Sequence, residues 1–218
     1  RIEKNLKQHR DFLKEVEEDS EQHRDIKGWF KTLPVYLDLP GLRVIHACWH
    51  IEHLATLAPY LDDQQRIRAE AWPELAKKGT AAFESLEIVL KGLEIPLPAG
   101  QVFYDTEENP RRHIRTRWWQ TSETSYKDLA IVPPKVRETV PDIPAPVHKL
   151  PGYDGEKPLF VGHYWFTGEP VPQTPHIACL DYSIANPDPD ATETGKLCAY
   201  RWDGEEVLRK EQFIWVDG

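Results

Sequence analysis

The sequence predicts an α/β fold with α+β-like segregation, built on mixed sheets. Three observations carry that expectation. Amphipathic helical stripes crowd the first part of the chain. Short apolar strand patterns crowd the last part. Two strand patterns carry a histidine where the apolar run gives out: Leu42-Arg43-Val44-Ile45-His46-Ala47-Cys48 and Pro158-Leu159-Phe160-Val161-Gly162-His163. In open sheets, functional groups gather at the carboxyl ends of strands. His46 and His163 are therefore candidates to converge on one metal.

The elements follow in order. Ile2, Leu6, Phe12, Leu13 and Val16 make an apolar stripe among charges, a helix over 2–18. Ser20 caps a second helix through about Phe30, and Pro34 ends it. Val35 to Leu39 and Leu42 to Cys48 read as strands joined by the Pro40-Gly41 turn. Helical patterns follow at Leu54, Leu57 and Leu61, then at Ile67, Ala71 and Leu75 with Gly79 as C-cap, then from Thr80 to Gly92. Val102 to Tyr104 and Ile114 to Trp119 read as strands around an Asn109-Pro110 turn. Residues 133–158 are proline-rich and read as an extended connector. The tail alternates strands and turns: Leu159 to Val161, Ile177 to Tyr182, Leu197 to Trp202 and Phe213 to Val216. Asn186 to Asp190 is an acidic loop, and Asp203-Gly204 a hairpin turn. One domain thus spans 1–218, helical over 1–33 and 50–92 and mixed β over 34–48, 101–119 and 158–218.

The chain of 218 residues is long enough for a sizeable core, and its net charge of −9 argues against broad nucleic-acid or membrane-surface binding. It holds no apolar run of bilayer length and no signal-peptide pattern, so a cytoplasmic protein is expected. Cys48, Cys179 and Cys198 show no paired or metal-knuckle spacing and read as buried thiols. There is no methionine, and Arg1 falls in a helix already under way, so a missing N-terminal portion is expected.

Imidazole is a common ligand for zinc, manganese and iron, yet a strand-end histidine also serves as a hydrogen-bonded core residue. His50 and His53 lie three apart on a helix, a spacing that suits a metal or a solvated face. Arg115 and Arg117 alternate along a predicted strand and share one face, fit for phosphate or for water. Lys91, in a glycine-containing connector, is a further candidate for an anion. Asp181 interrupts a buried-looking strand, so it either orients a ligand histidine from behind or caps the strand. Serine-hydrolase, Walker and dinucleotide motifs are absent.

Taken together, Gly41-Leu42-Arg43-Val44-Ile45-His46-Ala47-Cys48-Trp49 and Lys157-Pro158-Leu159-Phe160-Val161-Gly162-His163-Tyr164-Trp165 resemble the late histidine motifs of bacterial calcineurin-like metallophosphoesterases. These are the relatives of symmetrical diadenosine tetraphosphatase and of the PrpE type. Ala178 to Ser183, Leu197 to Glu205, Lys91-Gly92-Leu93-Glu94 and Arg115-Thr116-Arg117-Trp118-Trp119 are similar to other stretches of that branch, in the same order. The resemblance implies the C-terminal part of a four-layer αββα sandwich with added helices. It implies two divalent metal ions (manganese, iron or zinc) that polarise a phosphate and activate water. His46 and His163 match metal ligands, Arg117, Arg115 and Lys91 phosphate contacts, and Asp181 and Tyr182 supporting residues. The implied partner is a phosphorylated small molecule, nucleotide or phosphoprotein. The family's Gly-Asp-x-His-Gly, Gly-Asp-x-x-Asp-Arg-Gly and Gly-Asn-His-Glu motifs do not occur, nor does its acid–base histidine. The site is then expected to be incomplete, with an open sheet edge and exposed apolar surface covered by an N-terminal segment or a second chain. A non-catalytic assembly module and one half of a split enzyme are the alternatives.

Overall fold

A computed structural model describes residues 3–105, 108–185 and 194–218. Ile2 of the first stripe and the acidic loop Asn186 to Asp190 lie outside these. Helices α1 (Glu3–Glu15) and α2 (Glu21–Phe30) open the chain. Ser20 caps α2 by accepting the His23 backbone N–H at 3.1 Å. Strands β1 (Tyr36–Asp38) and β2 (Arg43–Ile45) form the expected antiparallel hairpin, with Tyr36 opposite Ile45.

Gly41 in that hairpin is required by crowding. A Cβ there would lie 2.5 Å from Cη2 of Trp202. The indole is held in turn by its Nε1–H donating to the Glu205 carbonyl at 2.9 Å. Gly41→Ala is therefore expected to cost about 1–3 kcal/mol, read as a lower denaturant midpoint with an unchanged slope.

Three helices follow: α3 (Ile51–Leu57), α4 (Trp72–Leu75) and α5 (Ala81–Lys91). Thr80 caps α5, and Gly92 ends it at φ 85°. The helix expected through Ile67, Ala71 and Leu75 is instead a short 3-10 turn, Ala69–Ala71, running into the four-residue α4. Pro73 is the physical reason: it lacks the N–H that a continuous helix needs there and tolerates only a first turn. Ile67 pairs across a β-bridge with Leu61, and Gly79 sits in a turn, not at a helix end.

Strands β3 (Glu94–Pro96) and β6 (His113–Arg115) pair antiparallel, as do β4 (Phe103–Tyr104) and β5 (Pro110–Arg111). The strand expected to reach Trp119 stops at Arg115, and residues 117–120 turn, with the Gln120 N–H donating to the Arg117 carbonyl. Short helices α6 (Tyr126–Leu129) and α7 (Pro134–Arg137) pack against this unit around Ile95, Ile114, Leu129 and Val136. Helix α7 interrupts the proline-rich connector because Pro134 sits where a first turn accepts proline.

Strands β7 (Leu159–Val161) and β8 (Ile177–Cys179) complete a four-stranded sheet of order β1-β2-β7-β8, in which β2, β7 and β8 run parallel. The expected single strand Ile177 to Tyr182 is broken at Leu180. Strand β9 (Asp181–Tyr182) belongs to a second sheet, of order β11-β10-β9 with β10 (Lys196–Tyr200) and β11 (Phe213–Asp217). Residues 201–212 join β10 to β11, so Asp203-Gly204 lies within a long connection and not at a tight hairpin tip.

Side-chain alternation builds three layers. Ile45, Leu159, Val161, Ile177 and Cys179 pack towards Leu54, Leu57 and Val89 of the helices. Phe160 and Ala178, with Val44, point the other way and meet Cys198, Tyr200, Phe213 and Trp215 of the second sheet. The chain is thus mixed α/β, layered helix, sheet, sheet. The outer face of the second sheet carries Leu197 opposite Val216 and Ala199 opposite Ile214. Leu197 and Val216 are each 61 % exposed. Among the described residues, no helix is long and apolar enough to cross a membrane.

Candidate functional site

Strands β2 and β7 are parallel neighbours, so their carboxyl ends lie side by side. His46 follows β2 directly, and His163 follows β7 by one glycine. Their ring centroids are 5.2 Å apart with planes at 62°. The backbone is locked at this point. The Gly162 N–H donates to the His46 carbonyl at 2.9 Å, and the Ala47 N–H to the Val89 carbonyl at 3.1 Å. The Tyr164 hydroxyl donates to the Ala47 carbonyl at 2.8 Å. It also accepts from Trp118 Nε1 at 2.9 Å, while that indole reaches the same carbonyl at 3.2 Å.

The two imidazoles sit in different fields. Burial, then Arg115 and then His46 push His163 down to about 4, although a hydrogen bond to the Lys91 backbone works the other way. Burial lowers His46 too, opposed by the nearby Asp181 carboxylate. Nε2 of His163 is buried without a hydrogen-bond partner, and so is Nε of Arg115. Both atoms are buried polar groups that the described protein groups leave without a hydrogen bond.

A neutral imidazole whose pKa is depressed on folding makes stability depend on pH. Between about 4 and the ordinary 6.5, the unfolded chain binds a proton at His163 that the native chain refuses. Stability therefore falls as pH drops from 6.5 through about 4. His163→Gln is expected to flatten this acid-side slope in urea titrations, and an unaltered slope would show the shift is not real.

The other candidates fall as follows. Arg115 reaches towards the pair and also touches Glu94 at 3.5 Å. Arg117 lies just beyond β6, across the Thr116 bridge to Ala130, and has its own neighbours. Its guanidinium lies 5.5 Å from the Phe166 ring centroid, and Nη1 is 3.4 Å from Gln173 Oε1. Lys91 is the last residue of α5, not part of a connector, and pairs with Glu87 at 2.6 Å. Asp181 stands where the chain leaves the first sheet for the second; its Oδ1 accepts the Ser183 N–H at 3.2 Å. It flanks His46 without hydrogen-bonding it: a Cβ on Gly162 would lie 3.8 Å from Asp181 Cβ and 3.9 Å from His46 Nδ1. The Tyr182 hydroxyl is committed to the Val171 N–H at 3.1 Å and anchors the loop before β8. His50 and His53 are half-buried, not solvated. Their rings are 4.3 Å apart, with His53 Nδ1 3.0 Å from Ser85 Oγ and His50 Nδ1 buried and unpartnered.

For the metal ions that the resemblance implies, the donor set fits in part. Two imidazoles converge, and one presents an orphaned nitrogen. Among the described residues, however, no group of three or more His, Cys, Asp or Glu side chains is placed to hold a metal ion. Structural and catalytic zinc sites draw on three or four protein ligands. Two imidazoles alone fall short of such a set.

A separate cleft of about 370 Å³ is lined by Trp49, His50, Glu52, Thr121, Tyr153 and Asp154 among others, and neither His46 nor His163 borders it. Its Asp154 is already satisfied by Arg43, which donates from Nη1 to both carboxylate oxygens at 2.8 Å. His50, which lines the cleft, also has a buried unpartnered Nδ1, so what distinguishes the His46–His163 end is the meeting of two imidazoles at adjacent parallel strand ends. Tyr164, Trp118 and Arg43 were not singled out from sequence. Arg43 alone carried a signal, as a charge inside an apolar run. No family model, no curated protein and no solved structure matches the chain.

Proposed function

We propose that the chain is the C-terminal part of a metal-dependent phosphoester hydrolase, acting on a phosphomonoester, a nucleotide anhydride or a phosphoprotein. The observation that carries this reading is the pairing of His46 with His163 at adjacent parallel strand ends, with His163 Nε2 buried and unpartnered. In it, His46 and His163 hold metal, and divalent ions, when bound, supply Lewis acidity and activate water. Arg115 meets the phosphate, because its charge acts on His163 and its Nε is buried without a hydrogen-bond partner. Arg117 packs against Phe166 and Gln173, and the Lys91 ammonium is paired with Glu87 although its backbone bonds His163.

The layering supports an incomplete αββα sandwich. The helix, sheet and sheet layers are in place, and the apolar face of Leu197, Ala199, Ile214 and Val216 is where a fourth layer would pack. The same face favours a second reading, in which this chain is one half of a split enzyme or a non-catalytic assembly module.

Metal content and p-nitrophenyl phosphate turnover with manganese test the proposal on wild type, His46→Ala and His163→Ala. Both variants are expected to lose bound metal. Unchanged metal content in both would remove these residues from the function. Metal uptake without turnover until an N-terminal polypeptide is added would favour the split enzyme.

A further inference from the structure

We propose that the cleft bordered by Trp49, Glu52, Tyr153 and Asp154 binds a small organic cation, an ammonium group carried on an apolar body. The cleft lies apart from the His46–His163 pair, and the inference does not rest on the phosphoesterase reading. Its volume of about 370 Å³ falls within the range of small-molecule sites. Trp49, Ile51, Pro151 and Tyr153 give it apolar walls. Such a lining, with a few polar groups to fix orientation, is the make-up of a ligand pocket.

Charge decides which ligand fits. Among the described residues, no lysine or arginine borders the cleft. Arg43 packs against its wall, 4.8 Å from the Trp49 ring centroid and 5.9 Å from that of Tyr153. That guanidinium is outnumbered. Asp154, Glu156 and Asp38 lie 2.8, 2.9 and 3.5 Å from it, and Glu52 adds a fourth carboxylate on the cleft itself. His50 brings no compensating charge, because burial and then His53 lower its pKa, opposed by Glu52. The cleft is therefore negative, and it repels anions and draws cations. The two lining carboxylates differ in role. Both oxygens of Asp154 are held by Arg43, so Asp154 contributes field. Glu52 is exposed and makes no ion pair among the described residues, so it is free to meet an incoming ammonium. The Trp49 and Tyr153 rings already hold one cation, and such rings attract an ammonium within about 6 Å of their centroids.

The test is binding of phenethylamine, 2-phenylethanol and phenylacetate to the whole chain at neutral pH, followed by ligand-observed NMR. The three probes share a shape and are a cation, a neutral molecule and an anion. Phenethylamine is expected to bind about three- to tenfold tighter than 2-phenylethanol, with phenylacetate weakest, and added salt should narrow the gap. Glu52→Gln keeps the shape and removes the charge, so it should bring the amine close to the alcohol. Thr121→Phe, at another exposed position on the cleft, should block the amine and the alcohol alike. Because both side chains are exposed, both variants should fold, which their urea midpoints check. Equal binding of amine and alcohol to wild type, or no binding of the amine, overturns the inference. So does amine binding that either variant leaves unchanged. None of these outcomes touches the reading of His46 and His163.

Discussion

Trp118→Ala is expected to lower stability by about 3–5 kcal/mol, and Trp118→Phe by only about 1 kcal/mol. The indole is fully buried at 0 % exposure, packed edge-on against Trp119 at 5.4 Å and Tyr153 at 6.4 Å. Alanine would leave a cavity bounded by the main core, and the surrounding sheet and helices relax only in part. Phenylalanine fills most of that volume and removes the N–H with a small part of the ring system. The Ala47 carbonyl then still accepts from the Tyr164 hydroxyl at 2.8 Å, so no buried acceptor is orphaned. The gap between the variants separates packing from hydrogen bonding. Midpoints that differ by less than the cost of one hydrogen bond would mean the polar contact dominates and the cavity argument is wrong. The consequence reaches the site, since the residue after His46 is the one these groups hold.

What could be read in advance followed from rules local in sequence. Ser20, Thr80 and Gly92 mark helix ends through capping chemistry that depends on a few adjacent residues, and the helices end there. The pairing of His46 with His163 was legible because parallel strands bring their carboxyl ends together whatever lies between them. What was not legible is set by distant contacts. The apolar run Ile177 to Tyr182 gives no sign that the chain changes sheets at Leu180, because apolar residues suit both the first sheet, buried on both faces, and the inner face of the second. Likewise, nothing within Arg115-Thr116-Arg117 says that β6 ends at Arg115. Thr116 still donates to the Leu93 carbonyl and bridges Ala130, so the chain exchanges one strand partner for another there, with Arg115 meeting Glu94 and Arg117 meeting Phe166 and Gln173.

Arg43→Ala is expected to cost about 3 kcal/mol, and the loss should be shared very unequally among its three acidic partners. The Arg43 side chain is only 9 % exposed, between Trp49 at 4.8 Å and Tyr153 at 5.9 Å. Nη1 engages both oxygens of Asp154 at 2.8 Å, Nη2 reaches Glu156 at 2.9 Å, and Asp38 lies 3.5 Å from Nε. These partners differ in what water already does for them. Glu156 is 68 % exposed, so that arm is screened and its removal should cost no more than about 0.5 kcal/mol. Asp154 is 27 % exposed and both its oxygens are held by Nη1, so Asp154→Ala removes the least screened partner of a buried guanidinium and should cost roughly 2 kcal/mol. Lysine cannot reproduce the fork or the stacking, so Arg43→Lys should fall nearer to alanine than to wild type. Urea midpoints of the four variants decide the matter: equal losses for the Asp154 and Glu156 replacements would show a diffuse electrostatic effect in place of this clamp. Since Arg43 lies in β2 and holds Tyr153 and Asp154 in place, the clamp fixes the proline-rich connector to the strand that ends at His46.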